Sequence, residues 1–171
     1  SLAPAHPQAF AVLHAQAERA QDWVAAADLL TARAAAEVDV GERARRYHEL
    51  GRLHADRRAD LGLARSAWER ALEVEPSFVP ALDDLAELAY RQGDVATAAA
   101  LYARLPVNAS RMAAEAVMLR RAELAEAQGD DARALALAQG AVRLVPTFTG
   151  HATIARLAEK TGDTELAIRS L

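Results

Sequence analysis

Apolar residues recur along the chain at the spacing of amphipathic helices. One stripe consists of Leu82, Leu85, Ala86 and Ala89. These positions follow the i, i+3, i+4, i+7 pattern that places side chains on one face of a helix. A second stripe consists of Val95, Ala98, Ala99, Tyr102 and Leu105. Because Gly93-Asp94 separates the two stripes, the pattern predicts two helices joined by a short turn.

The break between the two stripes recurs as an aspartate followed four residues later by an alanine. The aspartates are Asp22, Asp60, Asp94, Asp130 and Asp163, and the alanines are Ala26, Ala64, Ala98, Ala134 and Ala167. Successive aspartates are separated by 38, 34, 36 and 33 residues. Glycine, which precedes three of them, tolerates the left-handed conformation that ends a helix, and aspartate caps the next helix. Five helical hairpins of about 35 residues each are predicted.

The hairpins give predicted boundaries for ten helices. First helices are expected at 7–20, 42–57, 78–91, 109–128 and 148–160. Second helices are expected at 22–36, 61–74, 94–105, 131–144 and 163–171. Pro76 and Pro146 end second helices, and the near-copies EPSF and VPTF then restart the chain, with Ser77 and Thr147 as expected caps.

The third hairpin departs from this regular spacing. Pro106 comes only eight residues after Ala98, which predicts a short second helix. The first helix that follows, capped by Asn108 or Ser110, is expected to be about one turn longer than its counterparts. An irregular step is therefore predicted near residues 105–112.

The register resembles the tetratricopeptide repeat (TPR), whose signature is W-x2-L-G-x2-Y, then A-x3-F, then P. The second hairpin matches best, with Tyr47-x2-Leu50-Gly51-x2-His54, Ala64-x3-Trp68 and Pro76. The resemblance implies an all-α, right-handed superhelix of about five TPR-like hairpins in a single solenoid over residues 1–171. Its repeats would span 7–41, 42–77, 78–107, 108–147 and, incompletely, 148–171. Arg121 replaces the usual leucine of the fourth repeat, so the resemblance does not predict the packing there.

The resemblance also implies where a partner would bind. In this family the first helices line a concave groove with the residues outside their packed stripe. The expected partner-binding residues are Arg45, His48, Arg52, Asp83, Asp84, Glu87, Leu119 and Glu123. These rows are basic, then acidic, then mixed, which suits an extended peptide or a partner helix held by alternating charge. The alternative interpretation is an ordinary solvated face. The lysine- and asparagine-rich clamp with which some TPR domains grip acidic chaperone tails is missing from these rows.

Composition narrows the classes of function. The sequence has no cysteine, which excludes disulfides and thiolate zinc sites. A formal net charge of −4 argues against general binding of nucleic acid. No apolar run reaches the roughly 20 residues of a membrane span, so membrane insertion is not expected. The N-terminus lacks the pattern of a signal peptide, and arginine is abundant where lysine is scarce. These features favour a cytoplasmic, bacterial protein.

Candidate chemistry is sparse. The sequence contains no glycine-rich phosphate loop. His48 and His54 are six residues apart, roughly 120° away from a common helix face, unlike the i, i+4 pair of a zinc helix. His54 stands where the repeat has a tyrosine, which favours packing between helices. No catalytic residue, metal site or cofactor is predicted, and the chain is not expected to be an enzyme.

These observations favour a non-catalytic module that binds a protein or peptide partner. Two alternatives stay open at this point. The first is a structural module that self-associates through the ends of the solenoid. The second is a regulatory appendage of a larger multidomain bacterial protein.

Overall fold

The structure is a computed structural model, and it describes residues 6–108 and 113–170. These residues form ten helices and no strand, which confirms the predicted all-α class. The helices are α1 (Pro7–Arg19), α2 (Trp23–Ala36), α3 (Val40–Arg57), α4 (Leu61–Val74), α5 (Val79–Arg91), α6 (Val95–Arg104), α7 (Ala114–Ala127), α8 (Asp131–Leu144), α9 (Phe148–Thr161) and α10 (Thr164–Arg169).

The five recurring aspartates cap the second helices, as predicted. In each case the carboxylate accepts a hydrogen bond from the backbone N–H three residues further on, at 2.9–3.1 Å. Thr147 likewise caps α9 through the Gly150 N–H. Such caps satisfy N–H groups that have no partner within the helix. The aspartate therefore recurs because it caps the N-terminus of each second helix.

The turns before these caps share one backbone conformation. Gly93, Gly129 and Gly162 have φ angles of 72°, 81° and 84°. In the first two hairpins Gln21 and Ala59 take the same left-handed conformation, with φ of 55° and 51°. The turn geometry is thus kept even where glycine, the residue that adopts it most easily, is absent.

The chain divides into two compact units, Ser1–Leu85 (unit 1) and Ala86–Leu171 (unit 2). Unit 1 contains α1 to α4 and the first half of α5. Its core includes Ala17, Ala26, Ala27, Leu30, Leu50, Leu53 and Ala67. Small alanine side chains let the helices approach closely, so the few larger side chains fill the remaining space.

Gly51 of α3 lies against the indole ring of Trp68 of α4. Trp68 is 5% exposed, and its indole N–H donates to the His48 carbonyl at 3.3 Å. A Cβ atom at Gly51 would come within 2.8 Å of Trp68 Cε2 and closer still to Nε1 and Cδ1. Glycine is therefore required at this position, because the indole ring lies directly on the α3 backbone.

Unit 2 contains the second half of α5 and α6 to α10. Its core includes Ala122, Ala125, Ala134, Ala138, Ile154 and Leu157. Where the second hairpin pairs Gly51 with Trp68, the fourth pairs Ala122 with Ala138, both fully buried. The same repeat positions are thus filled by two side chains of equal, small size.

The irregular third hairpin confirms one prediction and corrects another. α6 ends at Arg104 after only 10 residues, as Pro106 predicts. The expected longer helix from residue 109 is wrong, because α7 has 14 residues and begins at Ala114. Its N-cap is Ala113, whose non-helical backbone (φ −59°, ψ 147°) keeps the helix from starting earlier despite the high helix propensity of alanine. Asn108 lies in a turn, and Ser110 falls outside the described residues.

The side chain of Arg121 caps the C-terminal end of the shortened α6. Its Nε donates to the Tyr102 carbonyl at 2.9 Å, and its Nη2 donates to the Leu105 carbonyl. The last carbonyls of a helix have no partner within it, and the negative end of the helix dipole favours a cation. The arginine at a usual leucine position therefore completes the C-terminus of the preceding helix.

Candidate functional site

Unit 1 contains a pocket of about 540 Å³ lined by α1, α2 and α3. Its apolar lining residues are Phe10, Trp23, Leu30 and Leu53. Its basic lining residues are His14, Arg46, His48, Arg52 and Arg57, and its acidic ones are Glu18, Glu49 and Asp56. The three arginines and three carboxylates balance in charge. The pocket therefore combines aromatic surface with polar groups of both signs.

Aromatic and cationic side chains are stacked in this pocket. The ring of His14 lies 5.1 Å from the ring of Phe10, and the guanidinium of Arg46 lies 5.7 Å from that same ring. The guanidinium of Arg57 lies 5.3 Å from the ring of Trp23. Cations within about 6 Å of a ring are attracted by its π electrons. These contacts hold the arginine side chains in fixed positions around the pocket.

Two nitrogen atoms in this lining are buried without a hydrogen-bond partner among the described residues, His14 Nε2 and Arg46 Nε. A buried polar atom without a partner costs about 1–3 kcal/mol. Both side chains pack against Phe10, so the two nitrogens flank one ring. The pocket lining therefore holds two nitrogens whose hydrogen-bonding capacity is unused among the described residues.

The sequence-predicted residues of unit 1 take different positions. His48 and Arg52 both line the pocket, whereas Arg45 does not. His48 Nε2 and Asp84 Oδ2 are 2.7 Å apart, which joins α3 to α5. Asp83 is only 4% exposed.

Arginines on the predicted face of α3 are paired with nearby carboxylates. Arg45 is exposed and pairs with Glu42, and Arg52 donates to Asp56 at 2.9 Å. Of the predicted basic row, His48 and Arg52 are therefore brought together at a concave surface.

The predicted residues of unit 2 lie along α5 and α7. Glu87 accepts a hydrogen bond from the Tyr102 hydroxyl, and Glu123 accepts one from the Tyr90 hydroxyl, both at 3.2 Å. Leu119 is half-buried and packs against the core of the unit. These side chains are engaged within the unit, and Glu123 has the more exposed of the two carboxylates.

The contribution of Phe10 and His14 of α1 and of Arg46 of α3 was not predicted from the sequence. His14 and Arg46 carry the two pocket nitrogens that have no partner among the described residues, and Phe10 lies against both side chains. The available signal is the i, i+4 spacing of Phe10 and His14, which stacks their rings on one helix face.

His54 does not join this pocket. It is 7% exposed, and its burial, with the positive charge of Arg58 nearby, lowers its pKa below the ordinary histidine value. Its Nδ1 lies 3.3 Å from Arg58 Nη1. The buried position agrees with the packing role expected from the sequence.

Two further observations concern residues 6–108 and 113–170. No group of three or more histidine, aspartate or glutamate side chains there is arranged to hold a metal ion. Within the same residues, no helix combines the length and the apolar character needed to cross a membrane.

Comparison with known proteins identifies the fold. No protein-family model matches the chain, and no curated protein matches it by sequence. Solved structures do match. A double mutant of MamA from RS-1 is 14% identical, with a TM-score of 0.68 over 98% of this chain and 90% of the other. MamA from AMB-1 is 21% identical, with a TM-score of 0.67 over 92% and 83%.

A tetratricopeptide repeat protein from Parabacteroides merdae is also similar. It is 17% identical, with a TM-score of 0.66 over 92% of this chain and 60% of the other. At these identities the similarity concerns the fold. Together with the recurring aspartate-capped hairpins, it shows that this chain has the fold of the tetratricopeptide-repeat proteins.

Proposed function

We propose that the chain is a non-catalytic protein-interaction module whose unit 1 pocket binds an extended segment of a partner protein. The observation that supports this most is the pair of buried nitrogens, His14 Nε2 and Arg46 Nε, in a pocket of about 540 Å³. A peptide supplies backbone carbonyls and side-chain oxygens as acceptors, and its apolar side chains can cover Trp23 and Leu53.

The charged residues around the pocket suit an orienting role. Arg52 and Asp56 form an ion pair with both side chains about half exposed. Exposed pairs of this kind contribute little to stability, so they can exchange partners at small cost. Arg45, one turn from His48, would extend the binding face along α3. Glu87, Leu119 and Glu123 would serve the same role on unit 2, whereas Asp83 has little accessible surface to offer.

Self-association is the second candidate, supported by a separate apolar surface on unit 2. Phe148 is 88% exposed, and Leu144 and Val145 beside it are 52% and 43% exposed. Large apolar side chains that cluster on a surface commonly mark interaction sites. Either mode of binding is compatible with a regulatory role within a larger protein.

The test is affinity capture from the native host, with captured proteins quantified by mass spectrometry for matched variants. Arg46→Met keeps the side-chain stem and removes the buried nitrogen, and we expect it to reduce capture at least tenfold. Arg45→Met removes a neighbouring arginine outside the pocket, and we expect a smaller loss. Far-ultraviolet circular dichroism and thermal melting establish that both variants fold. Undiminished capture by folded Arg46→Met would contradict the proposal.

A further inference from the structure

Unit 2 contains a second pocket, of about 350 Å³, lined by α6, α7 and α8. Five alanines and two leucines form most of its walls. The remaining lining residues are Arg121, Gln128 and Arg133. Both ionisable side chains in this lining are thus arginines, and no carboxylate belongs to it.

Arg121 is held in this pocket by the end of α6. Its hydrogen bonds to the Tyr102 and Leu105 carbonyls use Nε and one hydrogen of Nη2. A guanidinium has five N–H donors, so the Nη1 pair and one Nη2 hydrogen are left over. The two backbone contacts fix the plane of the guanidinium and preorganise the remaining donors.

Arg133 adds a second positive charge close to the first. It lies on the first turn of α8, where only its backbone N–H takes part in the Asp130 cap. Among residues 6–108 and 113–170, no carboxylate lies within ion-pair distance of Arg121 or Arg133. Burial lowers the pKa of Arg121, and the charge of Arg133 lowers it further. Two like charges therefore line the same pocket, and neither has a carboxylate partner among the described residues.

We propose that this pocket binds an oxyanion, a carboxylate or a phosphate group, between the guanidinium groups of Arg121 and Arg133. Planar guanidinium donors bind both groups in bidentate geometry, and the Gln128 amide can add a further donor. The apolar walls exclude water from part of the site, which strengthens attraction between opposite charges. A bound anion would offset the repulsion between the two arginines.

The site is independent of the peptide pocket proposed for unit 1. Its residues all belong to unit 2, on α6, α7 and α8 and at Gln128 directly after α7, and it requires no partner protein. The chain as a whole carries a formal charge of −4, so a general attraction for anions is not expected. Selective anion binding would therefore have to come from the Arg121 and Arg133 pair and not from the charge of the whole chain.

The test is a titration of the full chain with inorganic phosphate and, separately, with succinate, at constant ionic strength maintained with sodium chloride. Nuclear magnetic resonance follows the arginine Nε–H signals and the Ala99 and Ala103 methyl groups. We expect saturable shifts at Arg121, Arg133 and these alanines with at least one anion. Saturation by phosphate alone identifies a phosphate site, and saturation by succinate alone identifies a carboxylate site. Saturation by both supports a general oxyanion site.

Matched variants decide whether the response is local. Arg133→Gln keeps the side chain polar and removes one charge, and we expect at least a tenfold weaker affinity. Arg169→Gln removes an equal charge from an exposed arginine that pairs with Glu165, and we expect unchanged affinity. The proposal is overturned if neither anion gives saturable shifts, if Arg133→Gln binds like the original chain, or if both variants weaken binding equally.

Discussion

In unit 1 each arginine that lines the pocket lies beside a carboxylate or an aromatic ring, whereas in unit 2 neither pocket arginine has a carboxylate partner among the described residues. Arg46 pairs with Glu49, Arg52 pairs with Asp56, and Arg57 lies over Trp23. The first pocket is consequently neutral and aromatic, and the second is positive and walled by alanine. The same hairpin scaffold thus presents two different chemistries, set by the neighbours of its arginines.

The cores of the two units differ in a similar way. The second hairpin places a tryptophan directly on a glycine, and the fourth places an alanine opposite an alanine. The first arrangement depends on one residue having no side chain, while the second has two small side chains that can adjust. Packing in unit 1 should therefore be more sensitive to single substitutions.

Gly51→Ala should produce the largest effect, because the added methyl group overlaps the indole ring of Trp68. Overpacking of this kind costs about 1–3 kcal/mol and sometimes more. We expect the free energy of unfolding of unit 1 to fall by at least that amount in urea denaturation followed by tryptophan fluorescence, since both tryptophans lie in unit 1.

Gly62→Ala is the matched control for this substitution. Gly62 is exposed on α4, and its nearest neighbour to an added Cβ is Asp60 Oδ1 at 3.4 Å. We expect a neutral or slightly stabilising effect, up to about 1 kcal/mol, from the higher helix propensity of alanine. Equal destabilisation by both substitutions would show that the contact with Trp68 is not what makes Gly51 necessary.

Arg121→Leu restores the residue that the repeat usually carries, yet we expect it to destabilise unit 2. The substitution leaves the Tyr102 and Leu105 carbonyls without their donor, at a cost of about 1–3 kcal/mol. Thermal melting measures the effect, with Arg143→Leu as a control on α8. A higher melting temperature for Arg121→Leu would mean that leucine packing outweighs the helix-end hydrogen bonds.

The buried His54 should make unit 1 sensitive to mild acid. Because burial lowers the pKa of His54 in the folded chain, the unfolded chain takes up the proton first as pH falls through about 6.5. The contribution of neutral His54 to the free energy of unfolding is therefore fully present above that pH and declines below it.

His54→Tyr, which supplies the repeat's usual residue, should reduce this decline. Unit 2 has Ala125, which cannot titrate, at the equivalent position, so its stability should not show this pH effect. Urea denaturation between pH 5.5 and 7.5 measures both. If His54→Tyr and the original chain showed the same dependence of stability on pH, His54 would not be the cause of the loss of stability in mild acid.

The smallest effect is expected at an exposed ion-pair network of unit 2. Glu126 accepts from Arg156 at 2.8 Å, and this hydrogen bond lowers the pKa of the Glu126 carboxyl. The stabilisation is present above the ordinary carboxyl pKa of about 4.3 and is lost as pH falls through the lower, folded-state value. Because Arg156 is half exposed, we expect Glu126→Gln to cost under about 1 kcal/mol at neutral pH.

Salt provides the control for this network. The difference between Glu126→Gln and the original chain should shrink as sodium chloride rises to about 1 M, where charges are screened within roughly 3 Å. Melting at low and high salt measures it. A difference that persists undiminished would indicate lost packing instead of lost charge attraction.

Local sequence patterns were sufficient to predict most helices and the caps formed by the five aspartates and Thr147, because each cap depends on residues three positions apart. The recurring aspartates and Pro106 are examples. Ser77, expected to cap α5, instead lies two residues before its first residue. The start of α7 was missed because Ala113 takes an extended backbone that its helix propensity does not predict. The role of Arg121 also could not be predicted, since it depends on carbonyls 16 and 19 residues away.

The candidate site was predicted only in part for the same reason. His48 and Arg52 follow from their position on a first helix, and both line the unit 1 pocket. The contribution of Phe10 and His14 depends on how α1 packs beside α3, which brings Arg46 over the Phe10 ring. No local pattern encodes that contact between side chains 36 positions apart in the sequence.

The left-handed backbone of Gln21 and Ala59 should make local unfolding begin at different places in the two units. A residue with a Cβ atom in this conformation costs roughly 1–2 kcal/mol relative to its preferred backbone. Unit 1 carries this strain at both of its turns that precede an aspartate cap, whereas all three such turns in unit 2 have glycine. Amide hydrogen exchange should therefore begin at residues 17–22 and 54–60 before it reaches the corresponding turns of unit 2. Because these two turns lack glycine, we expect them to open locally before the rest of unit 1.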